Sequence, residues 1–138
     1  MSRSILQENI YWNLFRVCMR AKHSMIQLAD QHDLGLMQLY TLCSMDPGKS
    51  IPMYSISSML SCDASNVTGI TDRLVTRGLI TREESPQDRR VKMIALTSEG
   101  VTLRQTILHS LKTYEPGLLE NLTTQQTREL KDLIALIL

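Results

Sequence analysis

The chain has 138 residues, with 15 Lys and Arg against 14 Asp and Glu, a formal charge of +1, and only 4% aromatic residues. That length predicts a single domain with a real core, and the near-zero charge excludes a chain that holds nucleic acid by bulk charge alone. No apolar run reaches the length of a membrane span, and Met1-Ser2-Arg3-Ser4 leads into no signal-peptide core, so a cytoplasmic protein is expected.

Residues 5–31 read as one long helix. Leu6, Ile10, Leu14, Val17, Ala21, Met25 and Leu28 recur at steps of three and four, and Phe15, Cys18 and Ala29 widen the stripe. A helix of that length overhangs a small domain, so part of its apolar face is expected to meet a partner chain. Asp33-Leu34-Gly35 marks a turn, and a second helix runs to about Ser44. Asp46-Pro47-Gly48-Lys49 is a loop by composition. A third helix is predicted over 52–60, with Pro52 in its first turn and Ile56, Met59 and Leu60 inward.

Ser61-Cys62-Asp63 then makes a tight turn into a helix predicted over 64–77, capped by the Asp63 carboxylate. Val67, Ile70 and Leu74 form its inner face. Ser65, Asn66, Thr68, Thr71, Asp72 and Arg73 leave a hydrogen-bonding outer face that can approach another surface closely. Gly78 is placed to end it in the left-handed conformation. A hairpin follows over 79–97: a strand at Leu79–Glu83, a break at Ser85-Pro86-Gln87-Asp88, and a returning strand at Val91–Leu96. Arg89, Arg90 and Lys92 load its tip with positive charge. Thr97 caps a fifth helix running to Thr113, with Leu103, Ile107, Leu108 and Leu111 on a stripe. Glu115-Pro116-Gly117 ends or interrupts it, and a last helix starts at Thr123 or Thr124 and runs to an end, Leu133 to Leu138, that is apolar on all sides.

Charge is unevenly placed. Residues 49–92 hold seven Lys and Arg against five acids, and Arg73, Arg77, Arg82, Arg89, Arg90 and Lys92 gather on the 64–77 helix and the hairpin. A polar-faced helix followed by a basic hairpin is how a winged helix-turn-helix engages DNA, helix in the major groove and wing on backbone or minor groove. The same stretch resembles the multiple-antibiotic-resistance-regulator (MarR) family of bacterial transcription factors. The resemblance is carried by Asn66-Val67-Thr68, Asp72-Arg73-Leu74, Arg77-Gly78-Leu79-Ile80, Asp88-Arg89-Arg90 and Leu96-Thr97-Ser98-Glu99-Gly100. Two positions depart from the family pattern: Met37 stands where many members have a capping Thr, and Gly69 where many have Arg.

The resemblance implies a mainly α fold with a two-stranded β-wing. Residues 1–31 and 98–138 would supply dimerisation helices, and 33–97 the winged helix-turn-helix lobe. It implies a repressor, dimeric on a pseudo-palindromic operator. Ser65, Asn66, Thr68 and Thr71 are the candidates for base or phosphate contact, Arg73 and Arg77 for phosphate, and Arg89 and Arg90 for the wing contact. Asp88 is read as orienting one of those two arginines, and which of them enters the minor groove stays open. Relatives respond to small phenolic or other anionic ligands, for which Arg16 and Tyr40 are the candidates here. Cys18, near Tyr11, Trp12 and Phe15, carries an alternative reading as a redox sensor, while Cys43 and Cys62 read as core. A winged-helix protein-interaction module without DNA binding is the other alternative. The three cysteines form neither a disulfide framework nor a CxxC pair. His23, His32 and His109 lack ligand spacing, and no P-loop, GxSxG or HExxH motif occurs, so no metal, cofactor or enzymatic activity is expected.

Overall fold

In the computed structural model, which describes residues 6–61, 64–114 and 117–138 (64 and 65 by backbone alone), the first helical stripe is interrupted at Asn9. The Asn9 side-chain oxygen accepts the Trp12 N–H at 2.9 Å. That is the action of a cap, and α1 (Ile10–Asp30) starts there. It ends in a Schellman turn. The Leu34 N–H donates to the Ala29 carbonyl at 3.0 Å and the Asp33 N–H to the Asp30 carbonyl at 3.1 Å. Asp33 holds the left-handed position, at φ 54°. In α2 (Leu36–Ser44) the Gln38 side chain accepts the Gly35 N–H at 2.9 Å. Gln38 thus supplies the tie at the helix start that Met37 cannot.

Ser50–Pro52 departs from the sequence reading. It is a strand, β1, and the helix expected over 52–60 is shorter, α3 (Ser55–Leu60). Pro52 is tolerated because β1 lies at the edge of the sheet, whose order is β1–β3–β2. β1 pairs with β3 alone, Ile51 opposite Ile94 and Pro52 opposite Met93. The other two strands are the wing, β2 (Ile80–Glu84) and β3 (Lys92–Leu96), antiparallel from Ile80 opposite Leu96 to Glu84 opposite Lys92.

Between α3 and β2 lies α4 (Ala64–Thr76). Its end is a second Schellman turn: Leu79 N–H to Leu74 carbonyl at 3.0 Å, Gly78 N–H to Val75 carbonyl at 2.9 Å, with Gly78 at φ 68°. Thr97 caps α5 (Ser98–Thr113), its hydroxyl accepting the Gly100 N–H at 3.0 Å. Thr123 caps α6 (Thr124–Ala135) in a capping box with Gln126. That helix stops at Ala135, short of the expected end. Cys62 and Asp63, read as turn and cap, and Glu115-Pro116, read as a break, lie outside the described residues.

The chain divides into two compact units, Leu28–Lys112 and Met1–Gln27 with Thr113–Leu138. The first contains the whole sheet and a dense core: Leu28, Leu42, Met45, Ile56, Leu74, Ile94 and Ile107 are each almost fully buried. The second is of another kind. Among the described residues it has no buried apolar side chain, and Ile10, Tyr11, Phe15, Val17, Met19, Leu133, Ile134, Leu136, Ile137 and Leu138 are all exposed. Within it, the Tyr114 hydroxyl donates to the Ser24 carbonyl at 2.9 Å and ties the end of α5 to α1. No described helix is long and apolar enough to cross a membrane.

Candidate nucleic-acid interface

The period of α4 separates its two faces. Val67, Thr71 and Leu74, at i, i+4 and i+7, are buried. Asn66, Gly69, Arg73 and Thr76, at steps of three, four and three, are exposed along the opposite side, with Thr68 beside them. Gly69 lies at the middle of this outer stripe. An added Cβ there would meet no atom within 4 Å.

Thr71 corrects the sequence reading. It is fully buried, and its hydroxyl donates back to the Val67 carbonyl at 2.9 Å and the Thr68 carbonyl at 3.1 Å. Thr is small enough to fill the inner seam while satisfying its own hydroxyl within the helix, so it belongs to the core and not to the outer face. The Ser65 side chain lies outside the described residues. Arg77 is exposed, but its guanidinium is turned toward the protein: Nη1 donates to the Asp33 carbonyl at 2.7 Å and the His32 carbonyl at 3.2 Å.

Ion pairs continue from α4 to the wing tip. Arg82 of β2 donates to Asp72 of α4. Lys92 meets Glu84 at 3.0 Å across the two wing strands. At the tip, the Asp88 Oδ1 accepts both the Arg90 backbone N–H at 3.0 Å and its Nε at 3.2 Å. The Val91 N–H closes the turn on the Asp88 carbonyl at 2.9 Å. One carboxylate oxygen therefore meets both the backbone and the guanidinium of Arg90. Arg73 and Arg89 have no such partner among the described residues and are exposed. This pairing explains why the sum of charges says so little: the acids of this region sit against its cations and set their direction. Such pairs are exposed and add little to stability, about 0–1 kcal/mol each.

The remaining candidates are on other elements of the chain. Arg16 is exposed on α1 and Tyr40 is exposed on α2; they belong to different compact units. Cys18 is exposed on α1, whereas Cys43 is half-buried in α2. Burial pushes the Cys43 thiol up from its ordinary value, against a smaller opposite pull from the Arg104 guanidinium, whose Nε donates to the Cys43 carbonyl at 3.2 Å. On the loop before β1, a hydrogen bond with Lys49 at 2.8 Å, and then its charge, lower the Asp46 carboxyl and raise the ammonium. Among the described residues no group of three His, Cys, Asp or Glu is placed to hold a metal ion.

The sequence model of the MarR family matches residues 34–92, from the start of α2 to the start of β3. The chain is 32% identical over 101 residues to an uncharacterized HTH-type transcriptional regulator, YhbI of Bacillus subtilis, covering 73% of this chain and 66% of that one. It is 38% identical over 85 residues to the HTH-type transcriptional regulator PapX of Escherichia coli, covering 62% and 52%. The chain thus spans less than two thirds of the length of these two relatives. In three dimensions it is similar to apo wild-type MarR from E. coli, with TM-score 0.84 and 23% identity over 94% of this chain and 96% of that one. It is also similar to a mutant MarR from E. coli complexed with operator DNA, with TM-score 0.70 and 24% identity over 91% and 90%.

Proposed function

Because the chain belongs to the MarR family of winged helix-turn-helix transcription regulators, which are not enzymes, we propose that it is a repressor that binds a pseudo-palindromic operator as a homodimer. The observation that carries the DNA contact is the outer stripe of α4 beside a basic tip where Asp88 pairs with Arg90. In this reading Ser65, Asn66 and Thr68 meet bases or phosphates in the major groove, where base edges are distinguishable. Arg73 meets phosphate. At the wing, Arg90 is the oriented cation that enters the minor groove and Arg89 contacts the backbone. The exposed apolar residues of the second unit support the dimer: large apolar side chains left in water in that number suit a partner surface. A two-fold dimer would set its two α4 helices into successive major grooves, roughly 34–36 Å apart. A small anionic or phenolic effector, near Arg16 or Tyr40, would release it by changing that spacing.

Sedimentation and a binding titration test the reading together. At micromolar concentration the protein should run at twice its chain mass, and at low salt it should bind a random-sequence duplex. Selection from a randomised library should enrich a site with two-fold symmetry. A monomer that ignores duplex DNA at low salt would leave a protein-interaction module as the better account. Replacing both Arg89 and Arg90 by Ala should lower the salt slope by about 0.9 for each phosphate that is no longer neutralised.

A further inference from the structure

We propose that Arg77 is a positioning residue that ties the end of the recognition helix to the end of α1, and not a phosphate contact. The proposal rests on α4 being the DNA-reading helix. Its ground is a meeting of two helix ends. Arg77 lies within the Schellman turn that ends α4, directly before Gly78, which turns the chain into β2. The carbonyls that it grips, those of His32 and Asp33, belong to the Schellman turn that closes α1. A helix C-terminus gathers unsatisfied carbonyls and partial negative charge, which a guanidinium neutralises. Here the cation comes from another helix 44 and 45 residues away in sequence.

The grip has a structural reason. Asp33 holds the left-handed conformation at φ 54° without being glycine, and such a residue persists where its surroundings fix it. One nitrogen of Arg77 bridges the carbonyl of Asp33 and the carbonyl before it, and so holds that turn closed. In return the C-terminal end of α4 is fixed at two points, through Gly78 to the wing and through Arg77 to α1. α1 itself runs from one compact unit into the other, with the boundary between Gln27 and Leu28. A shift of its last turn therefore reaches α4 through Arg77.

The two roles for Arg77 differ in their dependence on salt. A selected duplex and a scrambled one are titrated across a range of salt concentrations with wild type, Arg77→Ala, Arg77→Gln and, as a phosphate-contact control, Arg89→Ala. Positioning predicts that Arg77→Ala weakens the selected duplex about tenfold, a usual size for coupling between sites. The scrambled duplex and the salt slope should stay unchanged. The amide resonances of Asp33 and Leu34 should move, while dimer mass and helicity hold. Arg77→Gln keeps a donor without the charge and should recover part of the loss, which also serves should the Ala variant fold poorly. A slope lower by about 0.9 per phosphate on both duplexes, as expected for Arg89→Ala, would make Arg77 a phosphate contact and overturn the proposal. Wild-type affinity in Arg77→Ala would overturn it as well. If wild type binds neither duplex, the DNA reading of α4 fails first and takes this proposal with it.

Discussion

Gly69→Ala is expected to make the protein more stable and a poorer operator binder. Glycine within a helix costs about 0.8–1.0 kcal/mol relative to alanine, because the unfolded chain has more freedom to lose. That gain is realised only where the new methyl group fits. At Gly69 it does: no atom lies within 4 Å of the added Cβ, and the residue is not among the glycines with positive φ. With an unfolding entropy of about 2.1 cal/mol/K per residue, the gain raises the melting midpoint by about 3 °C if all 138 residues melt together. If Leu28–Lys112 melts alone, the same gain is worth about 5 °C. The comparison is made at fixed protein concentration, since association also moves the midpoint. On DNA the sign reverses. Gly69 is at the middle of the outer stripe, between Asn66 and Arg73, and a methyl group there holds the backbone away from the groove. Disrupting one well-made base pairing as a result would weaken the selected duplex by about 1–3 kcal/mol. Differential scanning calorimetry and fluorescence anisotropy read the two effects separately. A lower melting midpoint would refute the stability argument. Unchanged operator affinity would show that the centre of α4 does not lie against DNA.

Three further outcomes are expected. Gly100→Ala should destabilise by about 3 kcal/mol in urea titration, because its Cβ would stand 1.9 Å from the Leu79 carbonyl oxygen, which is backbone and cannot swing aside. Thr97→Val keeps the shape but removes the hydroxyl that caps α5 and donates to the Gly78 carbonyl at 2.6 Å; a loss of about 1–2 kcal/mol should appear in the same titration. Iodoacetamide at neutral pH should label exposed Cys18 before Cys43, whose thiol burial pushes up. Burial favours the neutral Cys43 thiol in the fold, so its contribution is complete below the unfolded value, about 8.5, and is lost as pH rises from there through the folded value. The stability difference between wild type and Cys43→Ser should change over that alkaline window alone.

The hairpin and α4 were legible because each boundary carries its own chemistry. Gly78 supplies a left-handed residue, Pro86 and Asp88 a turn, and Thr97 a cap, so the predicted helix over 64–77 and hairpin over 79–97 lie within a residue or so of α4, β2 and β3. β1 was not legible. Three residues show no alternation, and Pro52 argues locally for a helix start; only pairing with β3, about forty residues on, makes it a strand. In α1 the apolar period runs on through Asn9, and periodicity does not reveal that an Asn side chain has stopped to cap. The candidate site divides in the same manner. Periodicity identified the two faces of α4 but misplaced Thr71, since Thr is polar by type and buried by position. The direction of Arg77 depends on a turn that is distant in sequence, and no local pattern encodes it.

The junction at Gly78 and Thr97 also bears on how such a wing can evolve. The Thr97 N–H donates to the Leu79 carbonyl at 3.1 Å and its hydroxyl to the Gly78 carbonyl. The two feet of the hairpin are thus fastened to each other before either strand begins. The two strands stay paired up to the Ser85 N–H, which donates to the Val91 carbonyl at 2.8 Å; residues 86–90 form a loop closed at its base, and lengthening a closed loop costs only about 0.6 kcal/mol per doubling. Descendants can therefore insert, delete or exchange residues of the tip while α4 and α5 keep their places; the strands themselves are held, because Ile80 and Ile94 belong to the core and β3 also pairs with β1. Any binding preference of the tip is free to drift on a scaffold that does not register the change, and a tip grafted between Ser85 and Val91 from a distant relative should be accepted by this lobe as a cassette.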